Sequence, residues 1–513
     1  MAKINRNVLL LLFAAVLLIA MFRLGAVTLF DVDEAVFSTA TKEMVESGDW
    51  ITPTYNGDIR YDKPIFFYWL MALSYKAFGI NEFGARFPSA VAGFLLALSL
   101  FFFVGRTCNE TRAFHAVIAI SLSAYFLVYS RSAVTDMVMS LFITLSLFSF
   151  YLSVSQSRRF IYGFYFFSAL AFLTKGLIGI VFPFGIAALY LLISGGFREL
   201  VKIFDLKAAL LFLVVSVPWY AAQFAINGDD FFQQFFMKHH FKRYTDVISG
   251  HKGPFYYYII TLAIGISPWI VFLPSGIMKA VKERAGLSLF SIIWFGAVFI
   301  FFSFSTTKLP NYILSALPPV AILIAAGMSD MRVRPQRAAW LVIAAGALLA
   351  AIGVLFLPPI LVNNDITETD WTMWVAGILV MMSGVGFYSV RLSKPLYTPL
   401  ACVMFILLTV LLTSALPIAN QHMQGALYRF SVYARETAQR DEKIISYGIN
   451  NPSIVFYSDH KVANIRGRDS LMTHVKEKKD RIAIARPRDE DVMKEAGFTL
   501  LKKEGGYALF ERD

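Results

Sequence analysis

The first long polar stretch of this chain, residues 31–69, reads DVDEAVFSTATKEMVESGDWITPTYNGDIRYDKPIFFYW and lies between the first two strongly apolar segments. Six acidic residues precede Gly57, and the corner Asp62-Lys63-Pro64 follows it. Ionisable side chains beside a membrane are costly, and they mark functional sites when they occur there. We therefore expect the stretch to carry a catalytic carboxylate and a cation that binds phosphate.

The composition around this stretch is that of a membrane protein. Of 513 residues, 57% are hydrophobic and only 16% are charged, whereas soluble proteins average about 25% charged residues. Thirteen apolar segments approach or exceed the ~18 residues that mark a spanning helix. They lie near 8–27, 88–105, 113–130, 136–155, 160–174, 176–194, 208–226, 255–275, 287–304, 310–327, 338–358, 372–391 and 397–417. The prediction is an α-helical polytopic membrane protein with about 13 transmembrane helices.

The remaining charges predict an orientation. Lys and Arg are enriched in cytoplasmic loops, and every even-numbered connection between the predicted spans is basic. The N-terminus is therefore expected in the cytoplasm. The opposite, outer side receives the loops 31–86, 227–254 and 363–370 and everything after residue 418. The net charge of +12 is dispersed over short connections, so it indicates membrane topology and not nucleic-acid binding.

The sequence becomes charged and mixed near Asn420. A helix is expected near 423–440, and the strand-like runs IISYG, SIVFYS, RIAIA and YALFER alternate with the helical runs SLMTHVKEKK and DEDVMKEAG. We predict a transmembrane domain at 1–419, with outer juxtamembrane helices in 31–86. A small extracytoplasmic α/β domain is predicted at 420–513.

Residues 33–47 are predicted to form a helix on the membrane surface. Asp31 and Glu34 have the spacing of a capping arrangement, and Gly48 stands where a helix would end. Asp31 is more readily explained as a cap than as a catalyst. Asp33 and Glu34 cannot both cap one helix end, and we expect Asp33 to face a cavity.

Further charges lie at the outer edge of later spans, where an ionisable residue is a functional candidate. Asp136 begins the fourth span, either as a helix cap or as a functional acid. A snorkelling lysine is the alternative interpretation of Lys175. Cations that converge on one face bind anions such as phosphate. The candidates for that role are Lys63, Arg86, Lys175 and Lys308, with the hydroxyl of Tyr312 beside them.

The loop 227–254 adds Arg243 and other basic residues that favour an anionic ligand. It also contains His240 and His251, either of which could bind a divalent metal together with Asp62. Histidines in polar loops are more often unliganded, and the spacing of a typical zinc site is missing. The sequence therefore requires no cofactor and leaves a metal as an alternative.

Five motifs resemble those of a known enzyme family, and they are distributed over most of the range 28–327. They are DEAVFSTATKEMVESGDWITP from 33, the corner at 62–64 before an aromatic run, ARFPSAVAG from 85, LTKGLIGIVFP from 173 and TKLPNYILSALPPVA from 307. The chain resembles the GT-C glycosyltransferases that use a polyprenyl-phosphate sugar, within the protein O-mannosyltransferase-like group. It is especially similar to the bacterial lipid A aminoarabinose transferases, the ArnT-like family.

The resemblance implies roles for individual residues. Asp33 matches the catalytic base, and Asp136 matches a second essential acid. Lys63 and Tyr312 match groups that hold the donor phosphate.

Two positions depart from the family pattern. Asp62 stands where the family usually has Glu, and Arg60 stands where a Tyr is expected. The resemblance therefore leaves the sugar open, along with any metal at Asp62. The supporting candidates are Glu34, Arg60, Asp62 and Arg243.

The resemblance implies a multi-pass glycosyltransferase of the bacterial inner membrane, with its C-terminal domain in the periplasm. It would move a sugar from a polyprenyl-phosphate donor to a hydroxyl or phosphate of an envelope acceptor, foremost lipid A by aminoarabinose-type transfer, with inversion. One alternative is a protein or other envelope-glycan O-glycosyltransferase. Another is a flippase or transporter for lipid-linked sugars, which would predict inverted repeats. The enzyme hypothesis expects Asp33 and Lys63 to open into one outward-facing chamber.

Overall fold

The computed structural model describes residues 4–235, 253–328, 334–478 and 480–512. The chain forms two compact units. The first unit consists of Met1–Phe22, Tyr61–Phe67 and Pro88–Leu411. The second unit consists of Arg23–Arg60, Tyr68–Phe87 and Leu412–Asp513.

Long apolar helices make up the first unit. Its α-helices, including those that begin or end just outside it, are Arg6–Met21, Glu82–Thr107, Glu110–Ser121, Ala124–Tyr129, Asp136–Ser155, Ile161–Lys175, Ile178–Gly195, Leu206–Phe231, Tyr257–Gly265, Leu273–Glu283, Gly286–Phe304, Leu317–Gly327, Arg334–Leu355, Leu357–Val362, Trp371–Arg391 and Tyr397–Val410. Short 3₁₀ segments lie at Arg158–Phe160, Phe197–Ile203, Trp269–Phe272 and Pro310–Ala316.

The helical membrane fold expected from the sequence is confirmed, with fewer full-length spans than predicted. In the described part of the chain, nine helical segments are long and apolar enough to cross a bilayer. A helix pair bent by 112°, Tyr257–Gly265 with Trp269–Glu283, adds a tenth if it counts as one span. The other three predicted spans coincide with the helices Arg6–Met21 and Ile161–Lys175 and with a broken segment, all shorter than the ~18 residues required.

The broken segment shows why an apolar run can overstate a span. The helix Glu110–Ser121 is followed by Leu122, whose backbone leaves the helical conformation. Ser123 then caps a new helix by accepting a hydrogen bond from the Phe126 N–H at 3.2 Å. The Leu122 carbonyl accepts a hydrogen bond from the Trp269 indole at 2.9 Å, so an internal partner stabilises the break.

The second unit combines helices with a sheet. Its α-helices are Asp33–Ser47, Phe66–Phe78, Leu416–Thr437, Ser453–Ser458, Arg468–Glu477 and Glu490–Glu495. Its strands are β1 (Thr54–Tyr55), β2 (Asp58–Ile59), β3 (Ile444–Tyr447), β4 (Val462–Ile465), β5 (Ile482–Ala485), β6 (Thr499–Glu504) and β7 (Tyr507–Glu511). Strands β1 and β2 form a hairpin, and the other five form a sheet of order β4-β3-β5-β7-β6. The pairs β3/β4 and β3/β5 are parallel, while β5/β7 and β6/β7 are antiparallel.

Alternating side chains place an apolar core on each face of this sheet. On one face, Ile444 and Ile482 pack in a cluster with Phe430 of the helix Leu416–Thr437. On the other face, Ile445 pairs with buried residues of the helices Arg468–Glu477 and Glu490–Glu495. The central strands are therefore covered on both sides, and all four residues of β3 are buried.

The expected C-terminal α/β character is confirmed, but two details of the prediction are wrong. SIVFYS forms the helix Ser453–Ser458 and not a strand; all six of its residues are buried, and a short apolar run does not distinguish a buried strand from a buried helix. The strands β4 and β6 were not expected. In β6, three charged residues follow one another and no residue is fully buried, so the strand lacks the apolar alternation that would have predicted it.

Candidate functional site

The helix Asp33–Ser47 has the bounds that the sequence predicts. It ends at Gly48, which adopts a left-handed conformation with φ of 75° and donates its N–H to the Met44 carbonyl. Val36, Phe37 and Ala40 on its apolar side are buried. This helix belongs to the second unit, and its first turn carries the acidic residues of the DVDE run.

Asp31 is not the cap of this helix. Its Oδ1 accepts a hydrogen bond from the Ser453 N–H at 2.8 Å, and its Oδ2 accepts from the Ser453 hydroxyl at 2.6 Å and from the Asn451 amide at 3.0 Å. Burial raises the pKa of Asp31 and outweighs the opposing effect of these hydrogen bonds. Asp31 therefore ties the beginning of the helix to a turn more than 400 residues later in the chain.

Glu34 and Arg86 form a buried, bidentate ion pair. The Arg86 Nε and Nη2 donate to the two carboxylate oxygens of Glu34, each at 2.9 Å. The remaining N–H groups donate to the carbonyls of Leu24, Val27 and Thr28 at 2.8–3.1 Å. These bonds use all five donors of the guanidinium. The prediction that Arg86 binds the donor phosphate is therefore wrong in this geometry, because none of its N–H groups is left for a phosphate.

Asp33 lies between Asp31 and Glu34 in the DVDE run, and it is exposed. Among the residues that the structure describes, its carboxylate has no hydrogen-bond or ion-pair partner. The neighbouring acids on both sides are engaged, Asp31 with Ser453 and Glu34 with Arg86. Asp33 is thus the acid of the DVDE run that remains available to a substrate.

Arg60, a supporting candidate, packs against the helix Asp33–Ser47 within the second unit. Its Nε donates to the Tyr68 hydroxyl at 3.0 Å, and its guanidinium lies 5.4 Å from the centre of the Phe37 ring. Both contacts are typical of a packed, structural arginine.

In the first unit, Asp136 and Lys175 form a buried ion pair. The Lys175 Nζ lies 2.5 Å from the Asp136 Oδ1, and no side chain caps the helix end at Asp136 within the described residues. The Tyr312 ring lies 5.9 Å from the same ammonium. The structure therefore brings together three residues that the sequence analysis selected separately.

Lys308 is held by backbone carbonyls at the end of the helix Gly286–Phe304 and in the loop that follows it. Its ammonium donates to the carbonyls of Phe302, Ser303 and Ser305 at 3.3, 2.6 and 2.9 Å. Three bonds use all three N–H donors, and burial lowers the pKa of Lys308. A direct role for Lys308 in binding phosphate is therefore not supported.

Lys63 and Asp62 are half-buried in the first unit. The Lys63 ammonium donates to the Asp62 carbonyl at 3.1 Å. Arg243, His240 and His251 lie outside the described residues. Within the described ranges, no group of three or more His, Cys, Asp or Glu side chains could hold a metal ion.

Sequence reasoning missed the partners of Asp31. Asn451 and Ser453 lie in the turn INNPS, where nothing in the local pattern indicates a long-range contact. Tyr457 was also missed: its hydroxyl donates to Glu82 at 2.9 Å and accepts from the Leu29 N–H at 2.7 Å.

Comparisons with known proteins identify the family of this chain. A family model described as dolichyl-phosphate-mannose-protein mannosyltransferase matches residues 62–221. The undecaprenyl phosphate-alpha-4-amino-4-deoxy-L-arabinose arabinosyl transferase of Photorhabdus laumondii is 30% identical over 406 residues, which cover 76% of this chain and 72% of that protein. This chain belongs to the ArnT-like glycosyltransferase family.

Two further ArnT comparisons agree with this assignment. The transferase of the same name from Shewanella sediminis is 34% identical over 64% of this chain and 60% of its own length. The match thus spans less than two thirds of some curated relatives. The crystal structure of ArnT from Cupriavidus metallidurans bound to undecaprenyl phosphate has a TM-score of 0.84 at 22% identity, and the match covers 99% of this chain and 98% of that one. That likeness establishes a GT-C fold.

Proposed function

We propose that this protein is an integral membrane glycosyltransferase. It moves a sugar from a polyprenyl-phosphate donor to a hydroxyl or phosphate oxygen of a cell-envelope acceptor, foremost lipid A by aminoarabinose-type transfer. The single observation that carries the proposal is the difference between the three acids of the DVDE run. Asp31 and Glu34 bond to other residues of the protein, whereas Asp33 is exposed and has no hydrogen-bond or ion-pair partner among the described residues.

In the proposed reaction, Asp33 accepts the proton of the acceptor hydroxyl. The acceptor oxygen forms a bond to the anomeric carbon as the bond from that carbon to the donor phosphate breaks, and the electron pair leaves with the phosphate. Direct displacement inverts the anomeric centre. A well-placed general base contributes roughly 10²–10⁴-fold to such a step.

The departing phosphate carries negative charge, and three residues are proposed to stabilise it, two as cations and one as a hydrogen-bond donor. Lys63 supplies the main charge, and Tyr312 donates a hydrogen bond. Lys175 retains two ammonium donors after its bond to Asp136. Asp136 is the second essential acid in this proposal, and it acts by holding Lys175. Fixed charges of this kind often make the largest single contribution to catalysis.

The printed names of the relatives support the donor class and leave the acceptor to experiment. ArnT of Cupriavidus metallidurans was crystallised with undecaprenyl phosphate, and the curated relatives are named for a sugar carried on that lipid. The match to the protein mannosyltransferase model supports a protein acceptor as the second candidate. A location in the bacterial inner membrane, with a cytoplasmic N-terminus and a periplasmic C-terminal domain, belongs to the same proposal.

The test uses the full-length purified protein in lipid nanodiscs with a radiolabelled undecaprenyl-phosphate sugar. Lipid A and a hydroxyl-rich acceptor peptide are offered in parallel. We expect label to appear on lipid A and free undecaprenyl phosphate to be released. Label on the peptide alone would favour the protein transferase, and relocation of intact donor without release would point to a flippase.

A further inference from the structure

The turn Asn451–Ser453 of the second unit is anchored directly to the acidic run. Both oxygens of the Asp31 carboxylate accept hydrogen bonds from this turn, at 2.6–3.0 Å. The Gln424 amide, oriented with its nitrogen toward Asp31, adds a donor to Oδ2 at 3.2 Å and accepts from the Asp31 N–H at 3.2 Å. Five polar contacts from two separate segments therefore hold one residue.

The other end of the run is held just as firmly. Glu34 accepts hydrogen bonds from Arg86 at 2.9 Å and from the Phe30 N–H at 3.0 Å, and both members of the ion pair are buried. The backbone from Phe30 to Glu34 is thus fixed on both sides of Asp33. Between these anchors the side chains of Val32 and Asp33 are exposed, and of these two only Asp33 can accept a proton.

Such anchoring has a direct catalytic meaning. Displacement of a catalytic group by about 1 Å can cost roughly 100-fold in rate, even when the altered residue lies away from the reacting atoms. A change at the anchors would misplace the base, so its cost is expected in the chemical step, with ground-state binding little changed.

We propose that Asp31 is a positioning residue for Asp33, and that Asn451 and Ser453 complete the catalytic turn by holding Asp31. The C-terminal segment then contributes to the reaction through this contact, in addition to any docking function. This inference rests on the proposed role of Asp33 as the base.

The test compares two buried serines of the second unit. Ser453→Ala removes the hydroxyl bond to Asp31 but keeps the backbone bond. Ser446→Ala removes a comparable buried hydroxyl, which donates to the Ile449 carbonyl at 3.1 Å and does not touch Asp31. Asn451→Ala removes the second anchor, and Ser453→Thr retains the hydroxyl. For each purified variant, kcat and KM for the undecaprenyl-phosphate sugar and the thermal midpoint are measured.

We expect Ser453→Ala and Asn451→Ala each to lower kcat about 10- to 100-fold with KM changed less than about twofold. Ser446→Ala should lower the thermal midpoint about as much as Ser453→Ala does, with kcat within about twofold of wild type. Ser453→Thr should have most of the wild-type kcat. Equal kcat in Ser453→Ala, Asn451→Ala and Ser446→Ala would overturn the inference. If Asp33→Asn retains full turnover, the proposed function fails. If Asp33→Asn is inactive while Ser453→Ala and Asn451→Ala have normal kcat, only the positioning role fails.

Discussion

The Lys175 ammonium lies 2.5 Å from the Asp136 carboxylate, and the two side chains are only 10% and 4% exposed. A buried charge that loses its partner costs far more than the intact pair contributes. The two residues must therefore be regarded as one unit, whose members cannot be changed independently.

The first prediction concerns this pair. Asp136→Asn leaves the Lys175 ammonium buried without a counter-charge, so we expect about 3–5 kcal/mol of destabilisation. The double variant Asp136→Asn/Lys175→Met removes the stranded charge and should recover most of the thermal midpoint in detergent, but not transfer. Asp365→Asn, at an exposed position, is the control and should unfold like wild type. A double variant as unstable as the single one would contradict the pairing.

The second prediction separates Arg86 from the phosphate site. Arg86→Lys cannot reproduce five hydrogen bonds in a fork geometry, and we expect the folded yield and thermal midpoint to drop. Any folded fraction should bind the donor with unchanged KM, measured by titration of the labelled lipid. A stable Arg86→Lys protein with a donor KM raised tenfold would return Arg86 to the phosphate site.

The third prediction concerns Lys63. Lys63→Ala removes the main charge proposed to stabilise the leaving phosphate, so turnover should fall about 100-fold or more while the thermal midpoint stays near wild type. Lys282→Ala, at an exposed position of the same unit, provides the matched loss of charge and should be fully active. Comparable activity in the two variants would exclude Lys63 from the reaction.

The fourth prediction follows from the pKa of Asp31, which burial raises above its ordinary value. The folded protein then binds more protons at Asp31 than the unfolded chain does, between the ordinary value of about 3.9 and the folded value. The contribution of this group to stability is fully present below the unfolded pKa and is lost as pH rises through the folded pKa. The unfolding free energy of wild type minus that of Asp31→Asn should therefore become more positive as pH is lowered from 7 to 4. A difference that shrinks over this range would contradict the shift.

Particular residues show how far the sequence alone reaches. Apolar run length located the nine helical segments of the described chain that are long enough to cross a bilayer. Gly48 marked the end of the helix Asp33–Ser47, because the left-handed conformation there favours glycine. Run length failed at Leu122, where a serine cap divides an otherwise apolar segment into two helices.

The limits in the candidate site have a different cause. Residue type selected the charged groups as candidates, but it does not reveal which of them already use all their hydrogen-bond donors on protein partners. Every N–H donor of Arg86 and Lys308 bonds to a backbone carbonyl or to Glu34. Backbone carbonyls are present at every residue, so the sequence does not show which of them accept these bonds. The partners of Asp31 lie more than 400 residues away along the chain, beyond the reach of any local pattern.

The most direct test of the account is the rate at which undecaprenyl phosphate is released by Asp33→Asn. The matched control is Asp58→Asn, which neutralises another exposed carboxylate of the second unit. With thermal midpoints equal to wild type, the account predicts that Asp33→Asn loses at least about 100-fold in release rate while Asp58→Asn is unchanged. A folded Asp33→Asn protein that releases undecaprenyl phosphate at the wild-type rate would contradict it.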